Sequence, residues 1–184
     1  VNPSGKLPFS FPAKLTDCGA HAFDELSYPG DSIKQEYKED ILVGYRWHDT
    51  KKIPALFPFG HGLSYTTFTY GKPMASAKAM AADGMLTVTV AVKNTGSIAG
   101  KEIVQLYVGD DKCSVLRPVK ELKHFAKVAL APGEEKSVTF TLTPDDLKFY
   151  DEASAAWKYE PGKFKAYVCA SSADVRGVVS FEMQ

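Results

Sequence analysis

Leu56-Phe57-Pro58-Phe59-Gly60-His61-Gly62-Leu63-Ser64-Tyr65-Thr66-Thr67-Phe68 divides the chain into two unlike parts. Pro58 fixes its own φ and keeps Phe57 out of the α region. Gly60 and Gly62 permit positive φ or a close backbone approach. Phe57 and Phe59 flank the proline, so a stiff segment carries two candidate anchors. Leu63 to Phe68 then holds residue types that favour a strand. On local physics the stretch is an apolar hinge leading into a β-domain.

Downstream the pattern is regular. Leu86, Val88, Val90 and Val92 alternate with Thr87, Thr89, Ala91 and Lys93, the period of a strand with one buried face. Asp83-Gly84 predicts a tight turn, with Met74 to Met80 as the hairpin partner. Ile103 to Val108 and Val119 to Leu130 follow as strands, and Pro132-Gly133 fits the centre of a type II turn. Val138, Phe140 and Leu142 alternate with Ser137, Thr139, Thr141 and Thr143. Thr143-Pro144-Asp145-Asp146 is a helix start, so one turn is expected near Asp145 to Phe149. Phe164, Ala166, Val168 and Ala170 line the face of the next strand, and Cys169 points to the other as a small packed residue. Gly177 to Phe181 closes the series. About seven short strands with regular turn signals predict an all-β, immunoglobulin-like sandwich. The antibody signature of two cysteines around a tryptophan is absent, which favours the fibronectin type III kind.

Upstream, residues 1 to about 55 show no sustained periodicity and are punctuated by Pro3, Pro8, Pro12, Pro29, Gly5, Gly19 and Gly30. Ile33, Tyr37, Ile41 and Leu42 predict a brief helix over 32–42, and Leu42 to Trp47 a short strand. So long an irregular segment is unusual inside a compact domain, and is expected to lie on a neighbouring domain.

Phe57-Pro58-Phe59-Gly60-His61-Gly62-Leu63-Ser64-Tyr65-Thr66 resembles a junction in family 3 glycoside hydrolases, mostly β-glucosidases and β-xylosidases. Asn2 to Pro12, Val43-Gly44-Tyr45-Arg46-Trp47, Glu160 to Phe164 and Ser171 to Arg176 fit the same family in the same order. The resemblance implies a C-terminal fragment of a longer enzyme. Residues 1–64 would be a linker arm and the tail of an α/β sandwich domain, and 65–184 a fibronectin type III-like domain. It implies that both catalytic carboxylates lie upstream of residue 1, that the catalytic domains of the same polypeptide are the partner, and that a glycoside substrate is met only through them. It also implies a periplasmic or extracellular protein.

Bulk properties exclude other classes. In 184 residues Lys plus Arg equals Asp plus Glu, 22 each, so there is no basic field for nucleic acid. No apolar run reaches the ~18 residues of a membrane span. Cys18, Cys113 and Cys169 are an odd number, which excludes a full disulfide framework.

Chemistry-bearing patterns are sparse. Glycoside hydrolysis needs two carboxyls flanking the scissile bond, and no motif here supplies them, so no catalytic residue is assigned. Glu39 and Asp40 are expected on a solvated face. His48, Asp49 and Ser64 supply triad residue types without evidence that they converge. Cys18, His21 and Asp24 have metal-ligand spacing on an arm with little rigidity, so no metal is assigned. Gly60-His61-Gly62 lacks the third glycine of a dinucleotide loop, and no cofactor is expected. Tyr45 and Trp47 are expected to dock the arm beside Phe57 and Phe59. Trp157 and Tyr159 are candidate sugar contacts, with Trp157 as a cap on the core the simpler reading. Two further classes remain open: a carbohydrate-binding module with coplanar exposed aromatics, and an adhesion or interaction domain with an exposed apolar patch.

Overall fold

A computed structural model describes residues 1–184. Strands dominate. In chain order they are β1 (Phe11–Pro12), β2 (Ala55–Phe57), β3 (Phe68–Tyr70), β4 (Met74–Ala75), β5 (Ala79–Met80), β6 (Leu86–Asn94), β7 (Gly100–Asp110), β8 (Glu121–Leu130), β9 (Glu135–Leu142), β10 (Phe149–Asp151), β11 (Ala156–Lys158), β12 (Gly162–Cys169) and β13 (Val175–Met183). One α-helix, α1 (Tyr45–Lys51), precedes β2, and 3-10 turns cover Leu15–Asp17, Gly19–His21 and Pro144–Leu147.

Two larger sheets carry the core. One has the order β5-β13-β12-β7-β8; in the other β6 is central. β9 pairs along β6 from Leu86 to Lys93, so β3 and β4 must share its opposite edge, at Val92–Asn94 and Val88–Thr89. The alternation read from the sequence is the burial pattern: Leu86, Val88, Val90 and Val92 of β6, Phe140 and Leu142 of β9, Val104, Leu106 and Val108 of β7, and Phe164, Ala166 and Val168 of β12 form one buried cluster. Asn94 ends β6 inside this cluster. It accepts from Thr66 Oγ1 (2.6 Å) and donates to Leu130 O (3.1 Å), so a buried amide ties three segments. The Pro132-Gly133 turn closes with Glu134 N–H donating to Ala131 O at 3.0 Å. Thr143 and Asp146 form the capping box of the 3-10 turn that starts at Pro144.

Several expectations give way. No helix forms over 32–42: Asp31 Oδ1 accepts from the backbone of Ile33 and Lys34, Asp40 has φ +57°, and Ile33 (94% exposed) and Tyr37 (74%) find nothing to pack on. A short helix without a buried stripe has little to hold it. The strand expected over Leu42–Trp47 is instead the start of α1, which buries Trp47. Leu63 to Thr67 is not strand, since the ladder onto β6 begins only at Phe68. Met74–Met80 is not one hairpin arm. Its first residues pair with β6, and its last, β5, run parallel to β13 in the other sheet. The β10–β11 hairpin was not legible, and Trp157, on β11, is 65% exposed rather than a cap on the core. The chain thus has thirteen strand segments in several sheets where about seven strands were expected.

Candidate docking site of the arm

Alternation along β7 turns Gln105 and Tyr107 away from the core, yet they are 3% and 0% exposed. The arm covers them. Tyr107 Oη donates to Gln105 Oε1 (2.6 Å), and Gln105 Nε2 donates to the carbonyls of Gly60 (3.2 Å) and Ala170 (2.8 Å). Gly60 has φ +79°, and a Cβ there would lie 2.3 Å from Gln105 Oε1, so the conformation and the contact both demand glycine. At Gly62 a Cβ would lie 2.5 Å from the Gly5 carbonyl oxygen, because the N-terminal strip passes directly beside it.

Phe59 is half-buried next to this cluster. Its N–H donates to Ser10 Oγ (3.1 Å) and its carbonyl accepts from Ser172 N–H (2.8 Å). The Tyr45 ring lies 4.8 Å from that of Phe59 and meets Tyr107 edge-on at 5.6 Å. Helix α1 fastens to the segment entering β8. Leu122 N–H donates to Tyr45 Oη (2.8 Å), Val119 N–H to Thr50 Oγ1 (3.0 Å), and Lys120 Nζ to Asp49 Oδ2 (2.6 Å). Enclosure pushes the Asp49 carboxyl up, against the pull of Lys120. Enclosure also raises the Tyr107 phenol, and it pushes the Cys169 thiol up to about 12.

The other sequence candidates lie apart. Trp47 is buried on the far side of α1, donating from Nε1 to Asp17 O (3.0 Å) with Phe23 against its ring. Phe57, on β2, is 43% exposed and edge-on to Phe11 at 6.0 Å. Phe11 and Phe57 line an open groove of about 520 Å³ with Leu7, His61 and Leu63. Tyr159 packs against the core, whereas Trp157 projects beside Tyr150 with their rings crossing at 72°; the two sequence-picked aromatics share no platform.

No catalytic constellation assembles from the triad types. His48 Nδ1 is held by Ile53 O (3.0 Å), Asp49 by Lys120, and the Ser64 hydroxyl by Asn2. Nor do the spaced ligands on the arm converge: Asp24 is engaged by Lys38, and the His21 ring lies against Tyr28, centroids 4.1 Å apart and tilted by 58°. Folding does gather Asp110, Cys113 and Glu160, whose potential ligand atoms lie within 4.8 Å of one another. The sequence separation of Glu160 hid this group. Arg117 sits 3.5 Å from Asp110, and Ser114 donates to Glu160, so protein groups already engage these carboxylates. Glu39, expected in solvent, is 8% exposed.

Residues 102–172 match the family described as "Fibronectin type III-like domain". Over 99% of its length the chain is 67% identical to the β-glucosidase BoGH3A of Bacteroides ovatus, covering 24% of that protein. It is 51% identical, over 95% of its length, to thermostable β-glucosidase B of Acetivibrio thermocellus, covering 23% of it. Among solved structures, the β-glucosidase DesR of Streptomyces venezuelae, in complex with D-glucose, superposes on the whole chain with a TM-score of 0.89 at 42% identity; the chain covers 23% of it. The fold and the docked arm therefore define a fibronectin type III-like domain with its preceding segment. The chain corresponds to the C-terminal, fibronectin type III-like part of the family 3 β-glucosidases, and it spans about a quarter of the length of these relatives.

Proposed function

We propose that the polypeptide to which this chain belongs is an exo-acting β-glycosidase that removes terminal β-linked glucosyl or xylosyl residues by retaining double displacement. In it this chain is the non-catalytic structural part that packs on the catalytic domains. The observation that carries the reading is similarity along the whole chain to one quarter of several β-glucosidases. The boundary belongs to the same proposal: an arm over 1–64 and a sandwich domain over 65–184. So does the seven-stranded count, if β3 and β4 are taken as one edge strand interrupted before Pro73 and joined to β6, β7, β8, β9, β12 and β13. Tyr45, Trp47, Phe57 and Phe59 are the proposed anchors of the arm, and a periplasmic or extracellular location is part of the same reading. An alternative as a carbohydrate module draws support from the exposed Trp157 and Tyr150, but their crossed rings offer no flat surface for a sugar.

Two assays test this on aryl β-glucosides and β-xylosides. The isolated chain should show no turnover above a buffer blank, and the full-length polypeptide should hydrolyse at least one of them. Activity that stays with the purified chain would overturn the structural role. An inactive, folded full-length protein would overturn the glycosidase reading.

A further inference from the structure

Glu39 is enclosed without a partner. It is 8% exposed, and its Oε2 is shut off from solvent with no hydrogen-bond donor. Its neighbour Lys38 is engaged elsewhere, by Asp24 and Glu36. A buried carboxylate left unpaired is costly, and native proteins normally supply it with a donor or a cation.

Glu39 lines a cavity of about 220 Å³ together with Ser10, Cys18, Val43, Trp47 and His48. A single water needs only roughly 10–15 Å³ of such space, so the cavity has room for a larger group. The terminal carboxylate torsion is soft, which allows either oxygen to turn toward it. Enclosure, and then Asp17, push the Cys18 thiol up, so it adds no second negative charge. His48 is already held through Nδ1 by Ile53 O. Around this spot the arm exposes apolar side chains: Val43 is 63% exposed, Phe23 47% and Ile41 45%. One enclosed anion behind an apolar rim is complementary to a cation on an aliphatic stem.

We propose that this cavity receives one guanidinium or ammonium group, carried by a basic side chain of the polypeptide segment that packs over the arm. The identity of the donor rests on the docking role proposed above; the cation specificity of the cavity does not. The group would donate to Glu39 while its methylene stem packs on Val43 and the Trp47 indole.

The test uses n-propylguanidinium and n-propylammonium chloride as probes, titrated into the folded chain and followed by NMR at the Trp47 indole N–H and the Gly19 and Gly44 amides. One or both cations should give saturable shifts, and neutral n-propylurea, of the same shape as the guanidinium, should give none. Glu39→Gln should weaken binding at least tenfold while unfolding at an unchanged or higher denaturant midpoint. No saturable shift, equal response to propylurea, or full binding by Glu39→Gln would overturn the proposal and leave water as the occupant. Competition by zinc ion alone at equal concentration would overturn it in favour of a metal. Loss of probe binding with an active full-length enzyme removes this receptor alone, whereas inactivity of that enzyme removes the glycosidase reading and leaves the cation specificity of the cavity to the probe titration.

Discussion

Gly60 is where the arm meets the sheet, and two separate constraints fall on it: φ of +79° and a side-chain amide where a Cβ would stand. Gly60→Ala should therefore cost about 2–4 kcal/mol, the left-handed strain plus the disruption of a buried hydrogen-bonded amide. Urea unfolding measures it, and an unchanged midpoint would mean that the junction does not fold with the domain. Cys169 gives a second residue-scale outcome. It is fully enclosed opposite Gln105, while Cys18 and Cys113 are partly accessible. A thiol reagent should titrate at most two cysteines in the native chain and the third only after denaturation. Linkage gives the sign. The unfolded thiol loses its proton near its ordinary value of about 8.5, and the native one near 12. Between these values the native state binds more protons, so this contribution to stability is present at lower pH and lost as pH rises. The midpoint difference between wild type and Cys169→Ala should shrink from about pH 8 to about pH 11.

Among the elements, α1 and the strip at Phe59 form one unit with the entry of β8. Phe59→Ala removes a half-buried ring held by Tyr45, and should cost about 2–3 kcal/mol, less than the ~3–5 of a fully enclosed phenylalanine. A cost within error of zero would show that the ring serves contacts outside this chain. Thr143→Ala breaks the capping box before Pro144 and should cost about 1 kcal/mol. What could be read from the sequence at this scale follows from physics. Leu86–Val92 and Phe164–Val168 bury one face, so period two was visible. The Thr143 cap and the Pro132-Gly133 turn are local and were legible too. The periodic-looking Ile33, Tyr37, Ile41 set misled because no surface of this chain covers it. The start of α1 was misread because its fate is set by partners 70 or more residues away, such as Leu122 and Lys120. The Gln105–Tyr107 cluster was hidden because its polar atoms are satisfied by Gly60 and Ala170, which only folding brings near.

At the scale of the whole molecule, burial is uneven. The sheets enclose eighteen core residues, while Leu15, Phe23, Tyr28, Ile33, Tyr37, Ile41 and Val43 stand exposed on the arm. Limited proteolysis should cut first within 23–43, where few long-range backbone hydrogen bonds hold the chain, and should leave 55–184 resistant. Early cutting inside β6 or β12 would contradict that order.

The N-terminal strip runs antiparallel to the stretch from Phe57 to Tyr65. Tyr65 N–H donates to Asn2 Oδ1, Leu7 and Gly60–His61 exchange backbone bonds, and Phe11 faces Phe57. Val1 and the departure into β3 therefore lie at the same end of one ladder. A tensile load applied between them opens these bonds one after another, as in a zipper, and never loads them together in shear. The Asn2 contacts would yield first and the Phe11–Phe57 pair later. Any domain tethered to Val1 would thus feel a connection that lengthens in small steps, with the enclosed Lys6–Glu102 ion pair to β7 among the contacts that must give way.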